Sequence, residues 1–142
     1  MGNPFVHIEL STDDVNGAKK FYKKLFDWKL TDMKMPGMVY TTIDVGNKKT
    51  GGGITGKEMP NQPTAWLPYV EVASVKKTIA KVEKAGGKVI VPFMRIGDMG
   101  AIGVFFDPAG AAIGLWEKAK GKAKKKAPKK AAKKAPKKKA AK

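Results

Sequence analysis

His7 and Glu9 stand two residues apart in Phe5-Val6-His7-Ile8-Glu9-Leu10-Ser11. Alternate residues of an extended chain share a face. An imidazole and a carboxylate side by side could move protons or begin a divalent metal site. The stretch is echoed by Leu67-Pro68-Tyr69-Val70-Glu71-Val72-Ala73, which sets Tyr69 and Glu71 at the same spacing. Arg95 is the only arginine and could clamp a carboxylate or phosphate, although a surface position suits it as well. The chain has one histidine and no cysteine, so disulfides, thiolate zinc sites and cysteine nucleophiles are excluded. No serine–histidine–acid arrangement is expected. Gly51-Gly52-Gly53 is not a phosphate-binding loop, because no Gly-Lys-Ser/Thr follows at the required distance.

The elements that must hold these residues follow from periodicity. Val6, Ile8 and Leu10 alternate with His7 and Glu9, the pattern of a half-buried strand. Ser11 or Thr12 can cap a helix that carries Val15, Ala18, Phe21 or Tyr22, and Leu25 on one stripe, with Asp13 and Asp14 in its first turn. Lys19, Lys20, Lys23 and Lys24 take its wet side. Three strands follow: from Trp28 to before Pro36-Gly37, from Met38 to Val45, and from Thr50 to Thr55. The triple glycine in the last of these marks a bulge or a close backbone approach. A linker with two prolines leads to a second pass. It holds a strand at Trp66 to Val72, a helix from the cap Ser74 to Gly86-Gly87, and strands at Lys88 to Val91, stopped by Pro92, Ala101 to Phe106 and Ala111 to Glu117. The offset between copies is steady at about 61 residues, the signature of a duplicated unit.

The expected fold is α+β: two tandem βαβββ modules, about 4–57 and about 64–118, forming a curved sheet with a cleft between them. Val6-His7-Ile8-Glu9-Leu10 with Asp13-Asp14, Phe21-Tyr22 and Leu25-Phe26-Asp27-Trp28 resemble the vicinal oxygen chelate superfamily. So do Tyr69-Val70-Glu71-Val72, Gly86-Gly87-Lys88-Val89 and Phe106-Asp107-Pro108-Ala109-Gly110. That superfamily contains glyoxalase I, extradiol dioxygenases and bleomycin- or fosfomycin-resistance proteins. The resemblance covers about residues 4–118 and implies metal ligands on the first and last strand of each copy. Those positions hold His7, Gly53, Tyr69 and Gly114, so one ligand in four is present. A His7, Glu9 and Glu71 set is the alternative metal site. The other expectation is a cleft of His7, Glu9, Tyr69, Glu71 and Arg95 that binds a small molecule with no metal. Whether bonds are made or broken there stays open, with a metal-dependent lyase or dioxygenase as the alternative function.

The formal charge of +17 is unevenly placed. Residues 119–142 contain only Lys, Ala, Pro and one Gly, and hold 13 of the 29 basic residues. Residues 1–118 carry 16 basic and 12 acidic side chains, enough for only mild basicity. From Ala127 the segment repeats every eight residues. Such a composition cannot bury a core, and disorder is expected. It resembles the tails of linker histones and bacterial histone-like proteins, which implies non-specific contact with nucleic-acid phosphates. The lysines expected to make it are Lys124, Lys125, Lys126, Lys129, Lys130, Lys133, Lys134, Lys137, Lys138 and Lys139. An acidic protein or anionic lipid is the other partner that fits. Met1-Gly2-Asn3-Pro4 shows no secretory signal, and no apolar run is long enough to span a bilayer. The expected location is cytoplasmic, at the nucleoid if the tail rules, as a monomer or a homodimer. A nucleoid-associated protein acting mainly through the tail is a further alternative.

Overall fold

The computed structural model describes residues 2–120. The lysine-rich repeats, with the ten lysines expected to meet nucleic acid, lie outside them. The elements run β1 (Phe5–Thr12), α1 (Val15–Leu25), β2 (Lys29–Met35), β3 (Met38–Asp44), β4 (Gly52–Gly56), then β5 (Ala65–Glu71), α2 (Val75–Lys84), β6 (Lys88–Ile96), β7 (Gly100–Phe106) and β8 (Ala112–Lys118). This is βαβββ twice. The eight strands form one open sheet in the order β2-β3-β4-β1-β5-β8-β7-β6, so each module supplies one half. The halves are not two facing sheets. They join edge to edge where β1 pairs antiparallel with β5, His7 lying opposite Tyr69 and Glu9 opposite Leu67.

Both helices pack on the same face of the sheet. Leu10, Ile43 and Ile54 form the buried centre under α1, covered by Val15, Ala18 and Tyr22. Val75, Ile79 and Leu115 form the corresponding centre under α2. Burying a side chain of this size contributes about 1.5–3 kcal/mol. Residues alternating with these, His7 and Glu9 among them, face the opposite, helix-free side.

Three local readings are corrected. Asp14, not Ser11 or Thr12, caps α1: its carboxylate accepts from the Gly17 N–H at 2.9 Å. Thr12 serves one step earlier, its Oγ1 accepting from the Asp14 N–H. A Cβ on Gly17 would meet the Asp14 carboxylate in the rotamer it adopts here. The second correction is that β6 continues through Pro92 to Ile96. It is an edge strand, where a missing N–H costs no ladder bond, and its register shifts at Val89/Val91 and Val91/Met94 absorb the proline. Third, α1 buries none of its residues fully, and Phe21 and Leu25 are more than half exposed.

The triple glycine is where the backbones crowd. A Cβ on Gly52 would meet the Ile8 carbonyl, and one on Gly51 the Ile43 carbonyl. Gly86, with φ +95°, ends α2 in the left-handed region, and the Gly87 N–H donates to the Val82 carbonyl at 2.9 Å. Among the described residues, no helix is long and apolar enough to cross a membrane.

Candidate functional site on the helix-free face

The seam between β1 and β5 carries a closed polar cluster. Tyr40 comes from β3, because its alternation with Thr41 and Ile43 turns it away from the helices. Its hydroxyl lies 2.6 Å from His7 Nε2 and donates to Glu9 Oε2 at 2.9 Å. Tyr69, opposite His7, donates to the other carboxylate oxygen, Oε1, at 3.3 Å. The His7 ring stacks with that of Tyr40 at 6.2 Å and meets that of Tyr69 edge-on at 5.8 Å. Two phenols therefore hold one carboxylate, and the imidazole leans on one of the phenols.

Hydrogen bookkeeping orients the cluster. The single Tyr40 proton goes to Glu9, so the Tyr40 oxygen accepts from His7, whose Nε2 then carries the hydrogen. Burial lowers the His7 pKa from its ordinary value and keeps the ring neutral. Burial also raises Glu9, opposed by the hydrogen bonds from Tyr40 and then Tyr69, with the charge of Glu58 adding to the rise. Both phenols are pushed far above the ordinary tyrosine range, first by burial and then by the charge of Glu9. They remain donors across the physiological range.

Tyrosines also occupy the space above the two glycines. A Cβ on Gly53 would collide with the Tyr40 phenol, and a Cβ on Gly114 with the Tyr69 ring. These are the positions where the superfamily resemblance places metal ligands. Here each holds an aromatic ring instead. His7 Nε2 and both oxygens of Glu9 are engaged with phenols, and among the described residues no three His, Asp or Glu side chains stand together as a metal ligand set. The residues present do not fit a metal.

The sequence-expected residues separate into two groups. His7, Glu9 and Tyr69 come together. Glu71 does not join them, although it shares their face. In an antiparallel pair, moving two residues on from His7 and two on from Tyr69 leads in opposite directions. Glu71 is four residues beyond the partner of Glu9, about 13 Å along the strand. It pairs instead with Lys118 at 3.5 Å, and the Asn3 side-chain amide donates to its carbonyl oxygen. Arg95 lies on the other face. It is opposite the buried Ala101, and its guanidinium rests 5.8 Å from the Phe93 ring, which packs under α2. Tyr40 is the functional residue that sequence reasoning missed. The only signal for it was alternation within β3, which puts it on the helix-free face without saying what it would touch.

Two hollows open on the helix-bearing side. One of about 200 Å³ is walled by Ile8, Trp28, Ile43 and Trp66, and the aromatic rings of Tyr22, Phe26, Trp28 and Trp66 pack beside it. The other, of about 360 Å³, lies among Lys23, Asp27, Trp28 and Asp44. Neither includes a member of the polar cluster.

A family model described as the Glyoxalase/Bleomycin resistance protein/Dioxygenase superfamily matches residues 5–115. The putative glyoxylase CFP32 of Mycobacterium bovis is 34% identical over 114 residues, covering 78% of this chain and 44% of that protein. The anthracycline biosynthesis protein DnrV of Streptomyces peucetius is 31% identical over 125 residues, covering 78% of this chain and 46% of that protein. The chain thus spans less than half the length of these curated relatives. Among solved structures, methylmalonyl-CoA epimerase from Mycobacterium tuberculosis superposes with a TM-score of 0.62 at 14% identity, covering 84% of this chain and 91% of that one. The hypothetical protein BH1468 from Bacillus halodurans gives 0.65 at 15% identity, covering 84% and 97%. At such identities the likeness is one of fold.

Proposed function

The chain belongs to the glyoxalase/bleomycin resistance/dioxygenase superfamily, and on this fold we propose that it binds an organic small molecule on the helix-free face without a metal. The observation that carries the reading is the occupation of the Gly53 and Gly114 positions by the rings of Tyr40 and Tyr69, with both phenols bound to Glu9. His7, Glu9, Tyr40 and Tyr69 are the polar centre. Glu71 with Lys118 stands further along the same face, and Arg95 contributes nothing to it. The polar centre orients a ligand through hydrogen bonds, and flanking apolar side chains on this face supply contact area.

Since His7 is the only histidine, its ring resonances report this site alone. A small-molecule screen should produce saturable shifts in the His7 ring signals. Compounds that bind elsewhere and leave His7 unmoved would overturn the cleft assignment. Purified protein that retains stoichiometric zinc, nickel, manganese or iron, and loses it in His7→Ala, would replace the metal-free reading with a metal-dependent lyase or dioxygenase.

The lysine-rich segment adds non-specific nucleic-acid binding to this proposal, which would place the protein in the cytoplasm at the nucleoid. Its support is composition alone: 13 lysines without an acid or an aromatic residue. If about half engage phosphates, log affinity falls against log salt with a slope near −5, a loss of about 10³ between about 50 and 200 mM. Electrophoretic shift of DNA by the full chain and by residues 1–118 tests this. Equal binding by both would remove the segment from the function.

A further inference from the structure

We infer that the polar centre of the cleft is built for a ligand bearing an N–H-rich cation, an ammonium or amidinium on an apolar body, and that it rejects carboxylates and phosphates. This inference rests on the cleft being a small-molecule site, as proposed above. It follows from counting what the cluster has left to offer.

The hydrogen-bond donors of the cluster are all spent. The Tyr40 and Tyr69 hydroxyl protons go to Glu9, and the His7 Nε2 hydrogen goes to Tyr40. What remains are acceptors. Each carboxylate oxygen can accept two bonds and has one from a phenol, and the second nitrogen of the neutral His7 ring carries a lone pair. A hydroxyl that can accept or donate lies nearby. Thr55 is 4% exposed and its Oγ1 has no partner among the described residues. It lies opposite Ser11 on β1, two residues from Glu9 on the same face. A ligand that brought only acceptors could take the Thr55 hydroxyl proton but would leave the Glu9 and His7 acceptors unpaired, at a cost of about 1–3 kcal/mol each.

Charge points the same way. Glu9 is the carboxylate at the centre, and Glu58, from the segment before β5, is near enough to act on it and on both phenols. Among the described residues, no cation is among the groups that act on Glu9. Arg95 is on the opposite face, and Lys118 is matched to Glu71. A half-buried carboxylate held by neutral donors gains from a charged partner, and an anion beside it loses. The apolar body has its own surface. Met33 and Met38 lie on this face beside Tyr40, and Leu67 is opposite Glu9, with Trp116 further along in the neighbouring strand.

Three probes of like shape separate the possibilities: 2-phenylethylamine, 2-phenylethanol and 3-phenylpropanoate. Each is titrated into the full chain at physiological salt and followed through the His7 ring signals. The local readout matters, because the lysine-rich segment will attract the carboxylate without involving the cleft. The amine is expected to bind at least about tenfold more tightly than the alcohol, a difference of about 1.4 kcal/mol, and the carboxylate is expected to leave His7 unmoved. Glu9→Gln should remove the preference for the amine. Glu58→Gln removes the neighbouring charge without touching the hydrogen bonds of Glu9 and should reduce the preference, which covers the case in which Glu9→Gln fails to fold. Equal or tighter binding of the alcohol or the carboxylate at His7 would overturn the cationic ligand while leaving a small-molecule cleft in place. Absence of His7 shifts with all three would also overturn it, whereas the cleft itself fails only if the wider screen leaves His7 silent.

Discussion

The two βαβββ halves pass through the same succession of elements and bury their helices to different depths. In the second half, α2 sinks Val75, Ile79 and Val82 into the core, and the Glu117 carboxylate accepts from the Val75 N–H at 2.8 Å, tying β8 to the helix start. In the first half, α1 has no fully buried residue, and Phe21, Leu25 and Phe26 lie about half exposed. Its sheet contacts are wide aromatic surfaces, Tyr22 against Trp28 and Trp66, with polar ties such as Lys19 to Asp32 at 2.9 Å. The difference shows how a duplicated unit divides its labour. The second half holds its helix by close aliphatic packing. The first supplies His7, Glu9 and Tyr40, three of the four members of the polar centre, and carries the exposed aromatic face.

The sharpest way to break this contrast is truncation on each helix. Ile79→Ala should destabilise the protein by about 2–5 kcal/mol, since a buried branched side chain leaves a cavity. Leu25→Ala, on an exposed side chain, should stay within about 0.5 kcal/mol. Urea unfolding of both variants measures this, and equal losses would mean that α1 is covered in solution.

Glycine replacement tests the two ring-filled positions. Gly114→Ala drives a Cβ into the body of the buried Tyr69 ring, and should cost about 1–3 kcal/mol as overpacking. Gly53→Ala meets the outer end of Tyr40, which can swing away, so its cost should be the smaller of the two. Thermal unfolding gives the order, and the reverse order would place the tighter packing in the first half.

The phenols differ in the same manner. Tyr40→Phe strips a partner from both Glu9 and His7 and should cost about 1–3 kcal/mol. Tyr69→Phe removes one longer bond of 3.3 Å and should cost less, about 1 kcal/mol. Chemical denaturation of the two variants, with a double-mutant cycle, separates them.

The smallest effect concerns pH. Burial lowers the His7 pKa below the ordinary imidazole value of 6.5, so the unfolded chain takes up a proton more readily than the folded one. The stability His7 contributes is present above pH 6.5 and is lost as pH falls through its folded value. Glu9 acts in the opposite sense, because its raised pKa gives stability present below 4.5 that is lost as pH rises through its folded value. The difference between wild type and His7→Gln isolates the imidazole. It should be greatest near neutrality and shrink by pH 5, as read by urea midpoints across that range. A flat difference would mean that His7 is not held neutral.

Much of this molecule was legible in one dimension. Period-two alternation announced β1 and β5, a 3.6-residue stripe announced both helices, and the steady offset of about 61 residues announced the duplication. The glycines at 53 and 114 were enough to expect a broken ligand set, since no side chain can coordinate from there. Three features were hidden. Pro92 reads as a strand stop until β6 is known to be an edge. Asp14 and Thr12 compete for one cap, and only the path of the chain between β1 and α1 selects Asp14. Tyr40 is 31 residues from Glu9, and nothing local ties them.

What the sequence by itself determined is everything set by neighbours along the chain: the order of elements, which face each residue takes, and the absence of side chains at two expected ligand positions. What only the tertiary structure decided is which of those faces meet, and in which direction. The antiparallel joining of β1 to β5 sends Glu9 and Glu71 apart although their spacing from His7 and Tyr69 is identical. The same joining, with β3 laid beside β4, brings two tyrosines from separate strands onto one carboxylate. Strand direction and sheet order come from long-range pairing, and long-range pairing leaves no period in the sequence to read.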